Sequence, residues 1–201
     1  MLLHTPSLYA AFYDEKNLLD LAESLNDNQK LDNYLLSILI MTPTQLKNIV
    51  IKSLSILCDK DFLLIKSSVK EECINHKFAQ YIEYIVKKFL PYIDVDVEYN
   101  KYEHDPKKMM GQTPIRPDII VHKRQSGNSN NFLAIEAKKN YSSQHDKNKI
   151  EHLIESEIFN YTLGCLISYQ PDKEYIIVKF YTRDSKNWEI LKCKKQPFEI
   201  L

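Results

Sequence analysis

The chain has 201 residues, enough for one well-buried domain and a small helical extension. Hydrophobic residues make up 44% and charged residues 27%, which is ordinary for a soluble globular protein, and the formal net charge of zero gives no overall attraction to nucleic acid. No apolar run approaches the roughly 20 residues that span a bilayer, and the N-terminus lacks the pattern of a signal peptide. The four cysteines are scattered without a C-x-x-C pair, so we expect buried thiols in a cytoplasmic protein.

The first 66 residues predict a helical extension. Helices are expected over residues 6–25, 31–41 and 43–58, the last of them opened by Thr42, Pro43 and Gln45 as a capping box. No chemical motif occurs in this region. It could cap the rest of the fold, form a homo-oligomer or recognise a partner, and the sequence does not choose among these roles.

The next segment contains the longest convincing helix. Residues 61–66 form a short apolar run that suits a strand or a loop. Ser68 and Glu71 then form an S-x-x-E capping box, which predicts a helix that ends before Pro91. Apolar residues recur at helical spacing on one face of it, at Ile74, Phe78, Tyr81, Ile82, Ile85 and Phe89.

A strand and a loop lead to the most informative stretch of the chain. Residues 93–100 alternate between apolar and polar, which predicts a half-buried strand, and residues 101–114 predict a loop. Residues 119–122 and 132–135 then predict a β-hairpin around the Ser, Gly and Asn cluster of residues 126–131. A turn centred near Gly127 places Asp118 directly opposite Glu136.

The predicted hairpin brings like charges together. Carboxylates that face each other across a ladder are destabilising, so Asp118 and Glu136 need a compensating charge. A hard cation such as Mg²⁺ supplies it, because this ion takes one or two carboxylates and completes its shell with water or phosphate oxygens. The period of two along a strand puts Lys138 on the same face as Glu136. Two acids and an ammonium in this arrangement can hold a phosphodiester and activate a water.

The C-terminal part predicts a helix followed by strands. The helix is expected over residues 144–163, with Gly164 as its C-terminal cap. Strands are expected over residues 165–169 and 175–182, and Trp188 with Ile190 predicts an edge strand. The strand before the helix and the strand after it would be parallel, joined by a crossover.

At Pro117-Asp118, the hairpin and Glu136-Ala137-Lys138, the sequence resembles the PD-(D/E)xK nuclease superfamily. The resemblance extends from about residue 68 to 182. It implies an α/β fold, a restriction-endonuclease-like core with a mixed central sheet flanked by helices, over residues 67–201. It also implies that the Ala137 carbonyl joins Asp118 and Glu136 as a metal ligand, and that a helix glutamate, mapped to Glu72, reaches the metal. A dipole role at the helix N-terminus is the alternative for Glu72.

Basic residues surround the acidic motif. Residues 101–150 contain ten Lys or Arg against five Asp or Glu, which suits a phosphate backbone, although an ordinary solvated face is the simpler alternative. The candidate contacts with nucleic acid are Lys107, Lys108, Arg116, Lys147 and Lys149.

The sequence therefore predicts a nuclease that uses Mg²⁺ or Mn²⁺, with Asp118, Glu136 and Lys138 as catalytic residues. DNA is the more common target of the resembled superfamily, and RNA is also used. A nuclease-like fold that only binds or assembles is the rival hypothesis, because fold does not imply function. A third alternative is a surface ladder of ion pairs, in which Arg116 lies opposite Lys138.

Overall fold

The computed structural model describes residues 41–67, 69–102, 105–109, 114–124 and 130–201. The helices predicted over residues 6–25 and 31–41 therefore fall outside the described residues, except for Met41. The described helices are α1 (Pro43–Lys60), α2 (Phe62–Lys66), α3 (Glu71–Phe89) and α4 (Gln144–Glu155). The strands are β1 (Asp94–Val97), β2 (Lys101–Tyr102), β3 (Asp105–Pro106), β4 (Ile119–His122), β5 (Asn131–Lys138), β6 (Leu163–Ser168), β7 (Tyr175–Tyr181), β8 (Trp188–Lys194) and β9 (Glu199–Ile200).

Seven strands form one mixed sheet in the order β1-β4-β5-β6-β7-β8-β9. Only β5 and β6 pair in parallel, and α4 connects them, as the predicted crossover requires. The other neighbours pair antiparallel. Helices flank this sheet, which confirms the predicted α/β class with a mixed central sheet.

Helix α1 begins as predicted. The Thr42 side chain accepts a hydrogen bond from the Gln45 backbone, and the Gln45 side chain accepts one from the Thr42 backbone at 2.9 Å. This capping box satisfies backbone donors that have no partner within the helix. Helix α1 packs against α3 and β6, with Leu46, Val50 and Leu54 fully buried.

Two predictions near this helix are wrong. Residues 62–66 form the short helix α2 rather than a strand or a loop, and five residues are too few for periodicity to distinguish these states. Helix α3 begins at Glu71, and its N-cap is Lys70, without a side-chain capping bond. Glu71 is therefore not part of an S-x-x-E capping box. Ser68 lies outside the described residues.

The predicted strand 93–100 is shorter in the structure. It ends at Val97 because Glu98 adopts a positive φ of 53°, which takes the backbone out of the extended region. The predicted loop that follows contains the two-residue strands β2 and β3, which pair with each other.

Helix α4 ends at Glu155, eight residues before its predicted end. Arg183 donates hydrogen bonds to the carbonyls of Ile154 and Ser156 and so satisfies the helix C-terminus. Gly164 is not a cap but lies within β6, where an added Cβ would stand 2.3 Å from Ile150 Cγ2. The missing side chain lets α4 pack closely on the sheet.

The remaining strands agree with prediction. Strands β6 and β7 match the expected segments to within two residues, and β8 begins at Trp188. The Trp188 indole donates a hydrogen bond to Glu151 Oε1 at 2.7 Å and packs on Tyr181, so it is not free to stack on a base. Within the part of the chain that the structure describes, none of the helices has the length and apolar character needed to cross a membrane.

Candidate functional site

The register of the β4–β5 hairpin is the predicted one. Ile119 pairs with Ile135 and Val121 with Leu133, and a bulge shifts the register only beyond Val121. The same register continued by one residue places Asp118, which directly precedes β4, opposite Glu136. The Asp118 carboxylate accepts a hydrogen bond from the Ala137 backbone at 2.8 Å, so it is held at the C-terminal end of β5.

Glu136 is a fully buried acid. Its side chain is 0% exposed, and neither carboxylate oxygen accepts a hydrogen bond of acceptable geometry from the described residues. The Lys149 ammonium on α4 lies 2.7 Å from Oε1 and offsets the cost of burying this carboxylate in part. Burial, and then the negative charge of Asp118, raise the pKa of Glu136 to about 8. Buried acceptors without donors are costly, and a functional role commonly explains them.

Lys138 lies among three carboxylates. Its Nζ is 3.0 Å from Glu71 Oε1, 3.3 Å from Asp118 Oδ2 and 3.8 Å from Glu136 Oε2. Burial lowers the pKa of Lys138, but the neighbouring acids, Asp118 first, outweigh burial and raise the pKa above its ordinary value. The side chain is therefore an ammonium at neutral pH, with its position fixed by the acids around it.

Helix α3 contributes Glu71 to the site, and not the predicted Glu72. One Glu71 oxygen binds Lys138, and the other accepts a hydrogen bond from the Lys139 backbone at 2.8 Å. Glu72 is exposed, and Glu71 is the acid that α3 brings to β5. The contact spans 67 residues of sequence. The S-x-x-E pattern offered a helix-capping role for Glu71. The sequence therefore did not identify Glu71, rather than Glu72, as the acid that reaches β5.

Pro117 leaves a backbone acceptor available at the same place. The hairpin register, continued by two residues, places Pro117 opposite Ala137. Proline has no backbone N–H, so it cannot donate to the Ala137 carbonyl as another residue in a ladder would. This geometry suits the expected role of that carbonyl as a third oxygen ligand.

The donor set fits a hard divalent cation. Asp118 and Glu136 supply carboxylate oxygens, and among the described residues neither Glu136 oxygen has a hydrogen-bond partner of acceptable geometry. Mg²⁺ binds through one or two carboxylates and keeps several waters, so a larger acidic cluster is not needed. Over the described residues, no group of three or more His, Cys, Asp or Glu is arranged to hold a metal ion. The two carboxylates and the Ala137 carbonyl are thus the candidate ligands.

Three of the predicted nucleic-acid contacts lie near this site or are exposed on its flanks. Lys149 is part of the site through Glu136, and its Nζ also donates to the Arg116 carbonyl at 3.4 Å. Lys147 is half-buried, with 41% of its side chain exposed, and lies 3.8 Å from Glu151, one helical turn further on. The Arg116 guanidinium is exposed and lies 3.3 Å from Glu98.

The loop lysines differ from each other. Lys108 is exposed, as a phosphate contact requires. Lys107 is only 2% exposed, and its ammonium lies over the rings of Tyr99 and Tyr161. Burial lowers the pKa of Lys107 to about 8, although Asp96 raises it in part. The structure therefore does not present Lys107 to a phosphate backbone.

A second polar cluster, not predicted from the sequence, lies at the other end of β4. His122 Nε2 and Arg124 Nε donate to Asp96 Oδ2 at 2.9 and 2.8 Å, and a second Arg124 nitrogen pairs with Oδ1. Burial raises the pKa of Asp96, but these donors outweigh burial and hold the pKa well below its ordinary value. Both carboxylate oxygens of this half-buried acid therefore have hydrogen-bond donors.

No family model, no curated protein and no solved structure matches this chain. The site is therefore interpreted from its own geometry.

Proposed function

We propose that this protein is a metal-dependent nuclease that hydrolyses phosphodiester bonds of nucleic acid, with DNA as the first substrate to test. The observation that carries the proposal is the meeting of Asp118, Glu136 and Lys138 at one end of the hairpin, with the Glu136 side chain fully buried beside a second acid. A buried pair of acids at one place is costly unless a cation binds there, which is what a metal site provides.

Asp118, Glu136 and the Ala137 carbonyl would hold Mg²⁺ or Mn²⁺. The bound ion supplies Lewis-acid chemistry, polarising a phosphate oxygen and lowering the pKa of a bound water. The hairpin itself positions the two carboxylates, because Asp118 directly precedes β4 and Glu136 lies within β5. The Ala137 N–H keeps Asp118 at this place through the 2.8 Å hydrogen bond.

Lys138 acts as a positively charged hydrogen-bond donor. Its raised pKa keeps it protonated, so it suits the stabilisation of charge on the phosphate oxygens and the orientation of the attacking water. The same protonation opposes a role of Lys138 as general base. Glu71 is a positioning residue, since its carboxylate holds the Lys138 ammonium and the Lys139 backbone.

A cleavage assay tests this proposal. Wild type and Asp118→Asn are incubated with mixed single- and double-stranded DNA and RNA, with Mg²⁺, with Mn²⁺ and with a chelator. We expect cleavage by the wild type that requires the metal and is lost in Asp118→Asn. Cleavage that survives in the variant at the wild-type rate would contradict the assignment of this site.

A further inference from the structure

Among the described residues, Lys149 is the cation of the site that comes from helix α4 and not from the hairpin. It lies on α4, and its side chain is only 12% exposed. The close packing of α4 on Gly164 brings this helix to the sheet, and the Lys149 ammonium then reaches Glu136 at 2.7 Å. A lysine at this place is therefore part of the fold and not a freely solvated side chain.

The contact between Lys149 and Glu136 is a close ion pair, with 2.7 Å between Nζ and Oε1. The Lys149 ammonium also donates to the Arg116 carbonyl at 3.4 Å, which is a weak, long contact. The position of Lys149 therefore depends mainly on the Glu136 carboxylate, and another cation at the same carboxylate could replace the ammonium.

A metal ion at Glu136 and the Lys149 ammonium would repel each other. Both need the same carboxylate, and like charges at such short separation in a buried place interact strongly. We infer that Lys149 competes with the metal ion for Glu136, so that the metal binds as Lys149 leaves this carboxylate. This inference rests on the proposed function, because it assumes that Asp118 and Glu136 form the metal site.

A bound nucleic acid would supply a phosphate as the new partner of the displaced Lys149 side chain. A phosphate bound at the metal would place negative charge beside α4, within the surroundings of the Lys149 side chain. Metal and nucleic acid would then strengthen each other's binding, since the phosphate stabilises the lysine position that the metal requires. Lys149 would make the site bind metal weakly until its substrate is present.

Calorimetric titration of Mn²⁺ into the full chain, without nucleic acid, tests the competition. The proteins are the wild type, Lys149→Met, Lys149→Arg and, as a control for the loss of one lysine charge, the exposed Lys60→Met. We expect Lys149→Met to bind Mn²⁺ about tenfold more tightly, because an opposite charge within 4–6 Å shifts the equilibria of a carboxylate by that order. Lys60→Met should bind like the wild type.

The possible outcomes distinguish the competition of Lys149 with the metal ion from the proposed metal site itself. Binding by the wild type that Lys149→Met leaves unchanged or weakens overturns the competition and leaves the proposed metal site intact. Absence of Mn²⁺ binding in all four proteins overturns both. If circular dichroism shows that Lys149→Met does not fold, Lys149→Arg decides. Its guanidinium should hold Glu136 more firmly and weaken Mn²⁺ binding by about threefold or more, and unchanged affinity overturns the inference.

Discussion

The two ends of strand β4 carry polar clusters that differ in how far their charges are satisfied. At one end, the Asp96 cluster joins Asp96 to His122 and Arg124, and the acid accepts hydrogen bonds from both. At the other end, the acidic cluster joins Glu71, Asp118 and Glu136 to Lys138 and Lys149, with three carboxylates against two ammonium groups.

The difference separates a structural role from a candidate catalytic one. An acid such as Asp96, whose two oxygens both have cationic partners, stabilises the fold and has no need of a further ligand. Glu136 is fully buried and shares its two ammonium groups with Asp118 and Glu71, so the acidic cluster has capacity for a further cation.

Replacement of Lys138 should have the largest effect on cleavage. Lys138→Met removes the donor that would stabilise charge on the phosphate, and we expect the rate to fall by about 10²- to 10³-fold. Arg124→Met removes a cation of the Asp96 cluster instead and should leave the rate near that of the wild type. Rates are measured at a temperature at which circular dichroism shows both variants folded. Equal losses in the two variants would contradict the division of roles.

The free energy of unfolding should depend more on the Asp96 cluster than on the acidic cluster. Asp96→Ala leaves the buried His122 without its carboxylate, and we expect a loss of about 2 kcal/mol in the free energy of unfolding. Asp118→Asn keeps an acceptor for the Ala137 backbone and relieves the repulsion with Glu136, so its loss should stay below about 1 kcal/mol. Urea unfolding of the metal-free proteins measures both. A larger loss in Asp118→Asn would reverse the assignment.

The neighbouring acids of α3 offer a matched pair. Glu71→Gln keeps an acceptor for the Lys139 backbone but removes the charge that positions Lys138, so cleavage should fall about tenfold, as for other supporting residues of a site. Glu72→Gln changes an exposed acid one position away and should have no effect. The same cleavage assay of both variants distinguishes Glu71, the acid at the site in the structure, from Glu72, the acid expected from the sequence. A loss in Glu72→Gln alone would favour the latter.

Glu136 should make stability depend on pH. Its folded pKa of about 8 lies above the ordinary value of 4.5, so its contribution is fully present below pH 4.5 and is lost as the pH rises through 8. The charged groups facing it are Asp118, Lys138 and Lys149. The melting temperature of the metal-free protein should fall between pH 6 and pH 9, by less in Glu136→Gln. The control Glu189→Gln, an exposed acid, should behave like the wild type, and an equal fall in Glu136→Gln would contradict the assignment.

The β4–β5 hairpin could be predicted because residues close together in the sequence determine its register. Strand alternation and the turn residues give the register, and the register alone places Asp118 opposite Glu136 and Lys138 on the same face. The parallel crossover followed from a helix between two strands. Helix α4 was predicted too long because Gly164 was interpreted as a cap, whereas its small size serves the packing of Ile150 on the sheet.

The contacts between distant segments could not be predicted. Glu71 reaches β5 only because α3 lies across the sheet, and its local sequence offered a capping box as an equally good explanation. The pairing of Lys149 with Glu136 depends on the rotation of α4, which periodicity does not fix to within one side chain. The burial of Lys107 depends on Tyr99 and Tyr161, which lie before and far after it in the sequence.

The central claim is that the acidic cluster binds a metal ion through Asp118. Calorimetric titration of Mn²⁺ into the wild type and into Asp118→Ala tests it most directly. We predict binding of one ion by the wild type and none by the variant, with both proteins folded by circular dichroism. Equal binding by both proteins, or none by either, would contradict the metal site and favour a nuclease-like fold that binds or assembles without catalysis.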